Sequence, residues 1–169
     1  VIDPEFCVYG PPGLDVGSLI SGLILAAIRH TFKAQPDRAA AFGIADSINL
    51  IWKTYAGVLA TQGLSADEIE RINVDTVGFA CCEVLRTALG FAGARGLKFE
   101  DKDKERQAQD AVKLLATRSR ESRSKDTDSK GVSFLTELIF LAIFRAGTVF
   151  FLFCCLSLLL RVTATLKHV

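Results

Sequence analysis

Apolar residues recur at the spacing of an amphipathic α-helix through most of the chain up to Arg118. The longest such stripe consists of Ile44, Ile48, Ile51, Trp52, Tyr55 and Leu59. This spacing follows the turn of a helix and gathers the apolar side chains on one face, which the alternation of a strand cannot do. It predicts helices over residues 14–30, 37–62, 75–89 and 102–118. We therefore expect the folded part of the chain to be mainly α.

Local signals place the ends of these helices. Asp37 is favourable in a first helical turn, and Gly63 is a stop signal for the helix that ends just before it. Ser65 and Glu68 have the spacing of a capping box, in which each side chain satisfies a backbone donor of the other residue. A short helix of its own is expected to follow Ser65, before the helix that starts at residue 75.

Charge and cysteine content exclude several classes of protein. The chain has 20 Lys and Arg against 19 Asp and Glu, so no basic surface indicates nucleic acid binding. The five cysteines are an odd number without metal-ligand spacing, which argues against a disulfide framework or a zinc site and favours a cytoplasmic protein. His30 and His168 have no carboxylate or metal-ligand partner close in sequence, so we interpret both as surface residues.

A polar stretch divides the chain into parts. Residues 117–130 are almost all charged or hydroxyl-bearing, a composition that buries too little apolar surface to offset the entropy lost on ordering. We predict a folded domain over residues 1–118, a polar linker over 119–133 and an apolar tail over 134–161.

The apolar tail is long enough to cross a membrane. Residues 138–160 are apolar apart from Arg145 and a few hydroxyl-bearing or small residues, and a helix of this length spans a hydrocarbon core of about 30 Å. Arg145 opposes insertion by roughly 2.5–3.5 kcal/mol near a helix centre. Basic residues before the stretch would place its N-terminal side in the cytosol. A tail translated from non-native sequence is the alternative interpretation.

The first residues combine two carboxylates with a proline. Val1 and Ile2 are typical of a strand end, and Asp3-Pro4-Glu5 follows as a turn. Mg²⁺ prefers hard oxygen ligands and commonly takes one or two protein carboxylates together with phosphate oxygens. A surface turn would have the same short sequence. Together with the Gly-Pro-rich segment at residues 10–17, this stretch resembles the metal-binding segment of the aminoglycoside-phosphotransferase-like kinases, most closely of the methylthioribose kinase family.

The resemblance implies roles for three of these residues. Asp3 and Glu5 would bind Mg²⁺ and, through it, ATP. In these kinases an aspartate after the Gly-Pro turn opens the next helix, and its carboxylate supports the backbone of the catalytic loop. Asp15 stands at that position. A plain helix N-cap is the other interpretation of Asp15, and the two roles are compatible.

A second match lies farther along the chain. Residues 78–86 and 90–92 are similar to a methylthioribose kinase helix that carries a pair of arginines contacting the sugar. Arg86 retains the first arginine, whose guanidinium could donate paired hydrogen bonds to sugar hydroxyls or to the transferred phosphate. Thr87 replaces the second arginine, and Gly93 stands where the family often has histidine. A solvated arginine at a helix end is the alternative for Arg86.

The resemblance extends over residues 1–118 and implies the incomplete helical C-lobe of a protein-kinase-like fold, followed by a tail that could form a transmembrane helix. The implied activity is ATP- and Mg²⁺-dependent phosphorylation of a small sugar, S-methyl-5-thioribose, in methionine salvage. The nucleotide-binding loop and the catalytic base of the family would precede Val1, so this chain alone is expected to be inactive. The family also implies a homodimer as one assembly.

A function from a different class remains open. A non-catalytic, membrane-associated helical protein, either a pseudokinase or an assembly subunit, fits the apolar tail and the missing second arginine. Membrane association would run through residues 138–160. The expected location is the cytoplasm, with a membrane anchor if the tail is native.

Overall fold

The computed structural model describes residues 9–91, 96–125 and 131–143, which form five helices. These are α1 (Gly13–Phe32), α2 (Arg38–Thr61), α3 (Ala66–Ala88), α4 (Lys102–Lys125) and α5 (Val132–Ile143). Within these three ranges there is no strand, which confirms the prediction of a mainly α fold. The predicted strand end at Val1 and Ile2 lies outside the described residues.

Helix α2 has the ends that its sequence predicts. Asp37 is the N-cap, and its Oδ1 accepts a hydrogen bond from the Ala40 N–H at 3.0 Å. Gln62 is the C-cap, and Gly63 follows with a φ of 90°, a left-handed conformation that favours glycine. The Ala40 N–H stabilises the ionised carboxylate and lowers the pKa of Asp37 below its ordinary value.

Helix α3 begins with the predicted capping box but does not end early. The Glu68 N–H donates to Ser65 Oγ at 3.3 Å, and the Ser65 N–H donates to Glu68 Oε2 at 2.8 Å. The helix then continues without a break to Ala88, so the prediction of a short helix before a separate one was wrong. No glycine or proline interrupts residues 66–77. Asn73 fits inside the helix because its side chain accepts a hydrogen bond from another element, at the Val132 N–H.

Two glycines bring α1 unusually close to α3. A Cβ atom added at Gly13 would lie 2.8 Å from the Thr76 nitrogen, and one added at Gly17 would lie 2.7 Å from Phe79 Cβ. These separations leave no room for any side chain larger than hydrogen. Gly13 meets α3 at Thr76, and Gly17, four residues later in α1, meets α3 at Phe79 and Ala80. The two helices therefore run parallel.

Helix α1 is the centre of the bundle and contacts α2, α3 and α4. The largest side chains with less than 2% exposure in these four helices are Ile20, Ile24, Ile28, Ile48, Val77, Val84 and Val112. Among the described residues α1 is also the one helix long and apolar enough to cross a membrane. Its burial against three other helices explains that apolar character by core packing.

Helix α4 extends farther than predicted. It runs to Lys125, so residues 119–125 are helical although their composition predicted a linker. Arg, Lys and Glu are good helix formers, and Ser119 still packs on the core side with 2% exposure. The prediction of separate parts over 1–118, 119–133 and 134–161 is otherwise untested.

Helix α5 packs into the bundle. Val132, Leu135, Ile139 and Ile143 are each fully buried. The ring of Phe140 stacks on Phe42 of α2 with 5.5 Å between centroids. The first six residues of the predicted membrane span therefore belong to a helix that packs into the bundle, and residues 144–160 lie outside the described residues.

Candidate functional site

Asp15 lies in the first turn of α1 and is exposed. The N-cap of this helix is Pro12, which offers no side-chain hydrogen bond, so the interpretation of Asp15 as the N-cap was wrong. The turn is closed by the Leu14 N–H, which donates to the Pro11 carbonyl at 2.9 Å. A carboxylate in the first turn is favourable because it faces the positive end of the helix dipole.

Asp75 joins Asp15 at this end of the molecule. The ideal Cβ position at Gly13 lies 3.0 Å from Asp75 Cβ, so the close glycine contact places Asp75 beside the start of α1. Asp75 is exposed, and within the described part of the chain its carboxylate makes no side-chain hydrogen bond or ion pair. Sequence reasoning missed this neighbour because the contact joins two helices far apart in the chain.

Arg86 lies in the last turn of α3, where a cation favours the negative end of the helix dipole. Its Nη2 donates to Glu83 Oε2 at 2.9 Å, and the arginine side chain is 45% exposed. The guanidinium has five N–H donors, so this pairing leaves others for a ligand. The i,i+3 spacing of Glu83 and Arg86 could have been recognised in the sequence.

The structure does not bring Asp15 and Arg86 together. Gly17 meets α3 at Phe79 and Ala80, which puts Asp15 near the level of Gly78 along that helix. Arg86 is a further eight residues along α3, or about 12 Å at the rise of an α-helix. The two residues therefore lie at different levels of the bundle, and a ligand spanning both would need an extended shape or further residues between them.

Thr87, which replaces the second arginine, is buried at 4% exposure. Its hydroxyl donates to the Glu83 carbonyl at 3.0 Å. It also lines a cleft of about 480 Å³ between the end of α3 and the start of α4, with Lys98, Glu105 and Gln109. Threonine carries no charge, so Arg86 is the basic residue of the last turn of α3.

The segment after α3 is anchored by Arg29 of α1. Its Nη1 donates to the Gly96 carbonyl at 3.0 Å, and its guanidinium lies 5.8 Å from the centroid of the Phe99 ring. The Phe99 N–H in turn donates to Glu105 Oε2 at 2.9 Å, which lowers the pKa of Glu105. Sequence reasoning did not identify this anchor, since no short motif links residues about seventy positions apart.

His30 has a partner that the sequence analysis did not anticipate. Its Nδ1 lies 3.8 Å from Asp37 Oδ2 and 3.3 Å from Lys33 Nζ, so the statement that no carboxylate is near was wrong. The three residues flank the turn between α1 and α2, at the opposite end of α1 from Asp15. Their position suits a role in joining the two helices.

No group of three potential metal ligands from His, Cys, Asp and Glu occurs among the described residues. Asp3 and Glu5, the predicted Mg²⁺ ligands, precede residue 9 and lie outside the described part of the chain. The roles assigned to Asp3, Glu5, Asp15 and Arg86 therefore stay predictions.

Comparison with known proteins places the chain among relatives of kinases. It is 36% identical to the methylthioribose kinase of Geobacillus kaustophilus over 61% of this chain, and 36% identical to that of Geobacillus thermodenitrificans over 61%. It is 30% identical to the methylthioribose kinase of Bacillus cereus over 76% of this chain. No protein-family model matches the chain, and no solved structure matches it.

These similarities confirm the resemblance to methylthioribose kinases that the sequence motifs indicated. The matched region spans only part of those relatives. It covers 28% of the Geobacillus kaustophilus protein and 35% of the Bacillus cereus protein. What the complete relatives do is therefore carried to this chain only as a proposal.

Proposed function

We propose that the natural protein carrying this chain is an ATP- and Mg²⁺-dependent phosphotransferase that phosphorylates a hydroxyl of methylthioribose or a related small sugar. The observation that carries the proposal is 30–36% identity to methylthioribose kinases over 61–76% of this chain. In this proposal the bundle is the helical lobe of a protein-kinase-like fold, and the reaction belongs to methionine salvage in the cytoplasm.

The proposed metal ligands are Asp3 and Glu5. Bound Mg²⁺ would neutralise charge on the phosphate oxygens, a contribution that dominates phosphoryl transfer because the reaction needs mainly positioning and electrostatic stabilisation. Two carboxylates next to a proline are a chemically suitable donor set for this hard cation. In the sequence they precede α1 by a short segment.

Asp15 and Arg86 are proposed to act at different parts of the reaction. Asp15 is exposed in the first turn of α1. Its carboxylate can accept hydrogen bonds from backbone N–H groups of a catalytic loop packed against the N-terminal end of this helix. Arg86, held by Glu83 but almost half exposed, can donate to sugar hydroxyls. Because the two residues lie at different levels of the bundle, Asp15 would support the catalytic loop while Arg86 would contact the far side of the sugar.

The test of this proposal is an activity measurement on the natural protein carrying the chain, with ATP, Mg²⁺ and methylthioribose. Replacement Asp3→Ala is expected to abolish turnover because the metal loses a ligand, and to leave the circular dichroism spectrum unchanged. Asp46→Asn, an exposed aspartate on α2, is the matched control and should retain full activity. Near-normal turnover of the Asp3→Ala protein would refute the assignment.

Arg86→Gln tests the sugar contact separately. We expect KM for the sugar to rise by about tenfold, as for loss of one charged hydrogen bond, while KM for ATP stays within about twofold. Arg71→Gln, an exposed arginine on the same helix, is the control. An unchanged KM for the sugar would show that Arg86 is an ordinary surface residue.

A further inference from the structure

A cavity of about 400 Å³ lies between α3 and the C-terminal half of α4. Its walls are largely apolar and include Val77, Phe79, Leu85 and Ala116. Neither Asp15 nor Arg86 lines it, so the cavity is separate from the residues of the proposed function. Its volume and apolar lining are those of a pocket for a small organic molecule.

One polar side chain in this cavity lacks a partner. Ser119 is 2% exposed, and its buried Oγ forms no hydrogen bond in the part of the chain that the structure describes. It does not use even the carbonyl one turn earlier in α4, the usual local partner of a helical serine. Since buried hydroxyl groups are nearly always paired, this oxygen is a hydrogen-bonding group that a molecule bound in the cavity could satisfy.

The charge of the lining selects one kind of molecule. Asp75 is the one charged residue among the described residues that line the cavity. It is exposed, and within the described helices no cation pairs with its carboxylate. A ligand that places an ammonium group beside Asp75 would therefore gain a charged hydrogen bond that a neutral or anionic molecule cannot make.

We propose that this cavity binds a small amine with an apolar body and one neutral hydrogen-bonding group. The apolar body packs against Phe79 and Leu85, the ammonium group pairs with Asp75, and the neutral group pairs with Ser119 Oγ. The proposal goes beyond phosphoryl transfer and does not depend on it, because it uses none of the residues assigned to that activity.

Three probe molecules test the proposal on the full chain of residues 1–169. Tyramine carries the amine and a hydroxyl on an aromatic body, tyrosol replaces the amine by an alcohol, and 2-phenylethylamine lacks the phenolic hydroxyl. Affinities are measured by ligand-observed NMR. We expect tyramine to bind about threefold more tightly than tyrosol, as for a partly exposed ion pair, and about fivefold more tightly than 2-phenylethylamine.

Two variants assign these differences to residues. Asp75→Asn should remove the preference for tyramine over tyrosol, and Ser119→Ala should remove the preference over 2-phenylethylamine. Asp46→Asn on α2 should change neither preference. Circular dichroism checks that each variant keeps its helices, as expected for an exposed carboxylate and for a change that removes one unpaired hydroxyl.

Cys82 reports where the probes bind. It is exposed and lines the cavity, so bound tyramine should slow its alkylation by iodoacetamide, measured by mass spectrometry of the peptide that contains it. Equal affinities for tyramine and tyrosol, a preference that survives Asp75→Asn, or Cys82 alkylation that no probe slows would each overturn the proposal. The last result is expected if another part of the chain fills the cavity.

Discussion

At the scale of single residues, the glycines of α1 decide the geometry more than any charged side chain does. Gly13 and Gly17 face α3 at a separation that no other residue allows. Asp15 lies between them and is placed by their contact. The candidate site at this end of the bundle therefore depends on two residues that carry no functional group.

Gly17→Ala is expected to destabilise the chain by about 1–3 kcal/mol, the usual cost of overpacking a core. The new methyl group would lie 2.7 Å from both Phe79 Cβ and the Thr76 carbonyl, so the helices must move apart. The free energy of unfolding is measured by urea denaturation.

Gly57→Ala is the matched control, because Gly57 is helical and has open space around its Cβ position. It should stabilise the chain by about 0.5–1 kcal/mol through the higher helix propensity of alanine. Equal effects of the two substitutions would contradict the close α1–α3 contact.

At the scale of elements, the helix ends depend on side chains that are ionised at neutral pH. Asp37 caps α2 and lies near Lys33 and His30 of the preceding helix and turn. Its pKa is lowered from the ordinary value of 3.8, first by the Ala40 N–H and then by the neighbouring cations. The ionised carboxylate is therefore bound more favourably in the folded state than in the unfolded state.

Asp37→Asn separates the charge from the cap, because asparagine caps helices about as well as aspartate. Wild type should be the more stable protein above the unfolded pKa, and its advantage should disappear as the pH falls through the lowered folded pKa. Urea denaturation of both proteins between about pH 7 and pH 2 measures this. A stability difference that does not change with pH would show that the charge contributes nothing.

Many of the helix bounds could be predicted from the sequence. Helix spacing and caps identified α2 almost to the residue, because its signals are local. The break predicted before residue 75 was wrong, and residues 119–125 of the predicted linker are helical. The linker was predicted from polar composition, which does not exclude a helix that contains good helix formers such as Arg, Lys and Glu. Asn73 lies inside a continuous α3, and its Oδ1 accepts a hydrogen bond from the Val132 N–H of a distant element.

The candidate site was predictable to a smaller extent. Arg86 and its pairing with Glu83 are local features of one helix. The approach of Asp75 to α1 and the anchoring of Gly96 by Arg29 are contacts between distant parts of the chain. Neither contact has a sequence signal, because each arises only after helices pack.

At the scale of the whole molecule, α5 belongs to the same core as the helices that resemble a kinase. Ile139 is fully buried, whereas Leu141 on the same helix is 54% exposed. Sequence composition grouped these residues with an apolar tail and could not distinguish the buried face from the exposed one.

Ile139→Ala should therefore cost about 2–5 kcal/mol of stability, as for other large buried side chains reduced to alanine. Leu141→Ala should change the free energy of unfolding by less than about 0.5 kcal/mol. Thermal and urea denaturation of the full chain measure both. Similar small effects at the two positions would mean that α5 is not part of the folded core.

The contact between α1 and α3 has a consequence for the order of folding. It joins Gly13 to Thr76, and all of α2 lies in the loop that the contact closes. Closing a loop of this length costs conformational entropy before any packing is gained, whereas α1 and α2 can meet across a short turn. The pair formed by α1 and α2 should therefore assemble first, with α3 docking onto the glycine face afterwards. The end of the bundle that presents Asp15 and Asp75 would therefore take shape only after the α1–α2 pair has formed.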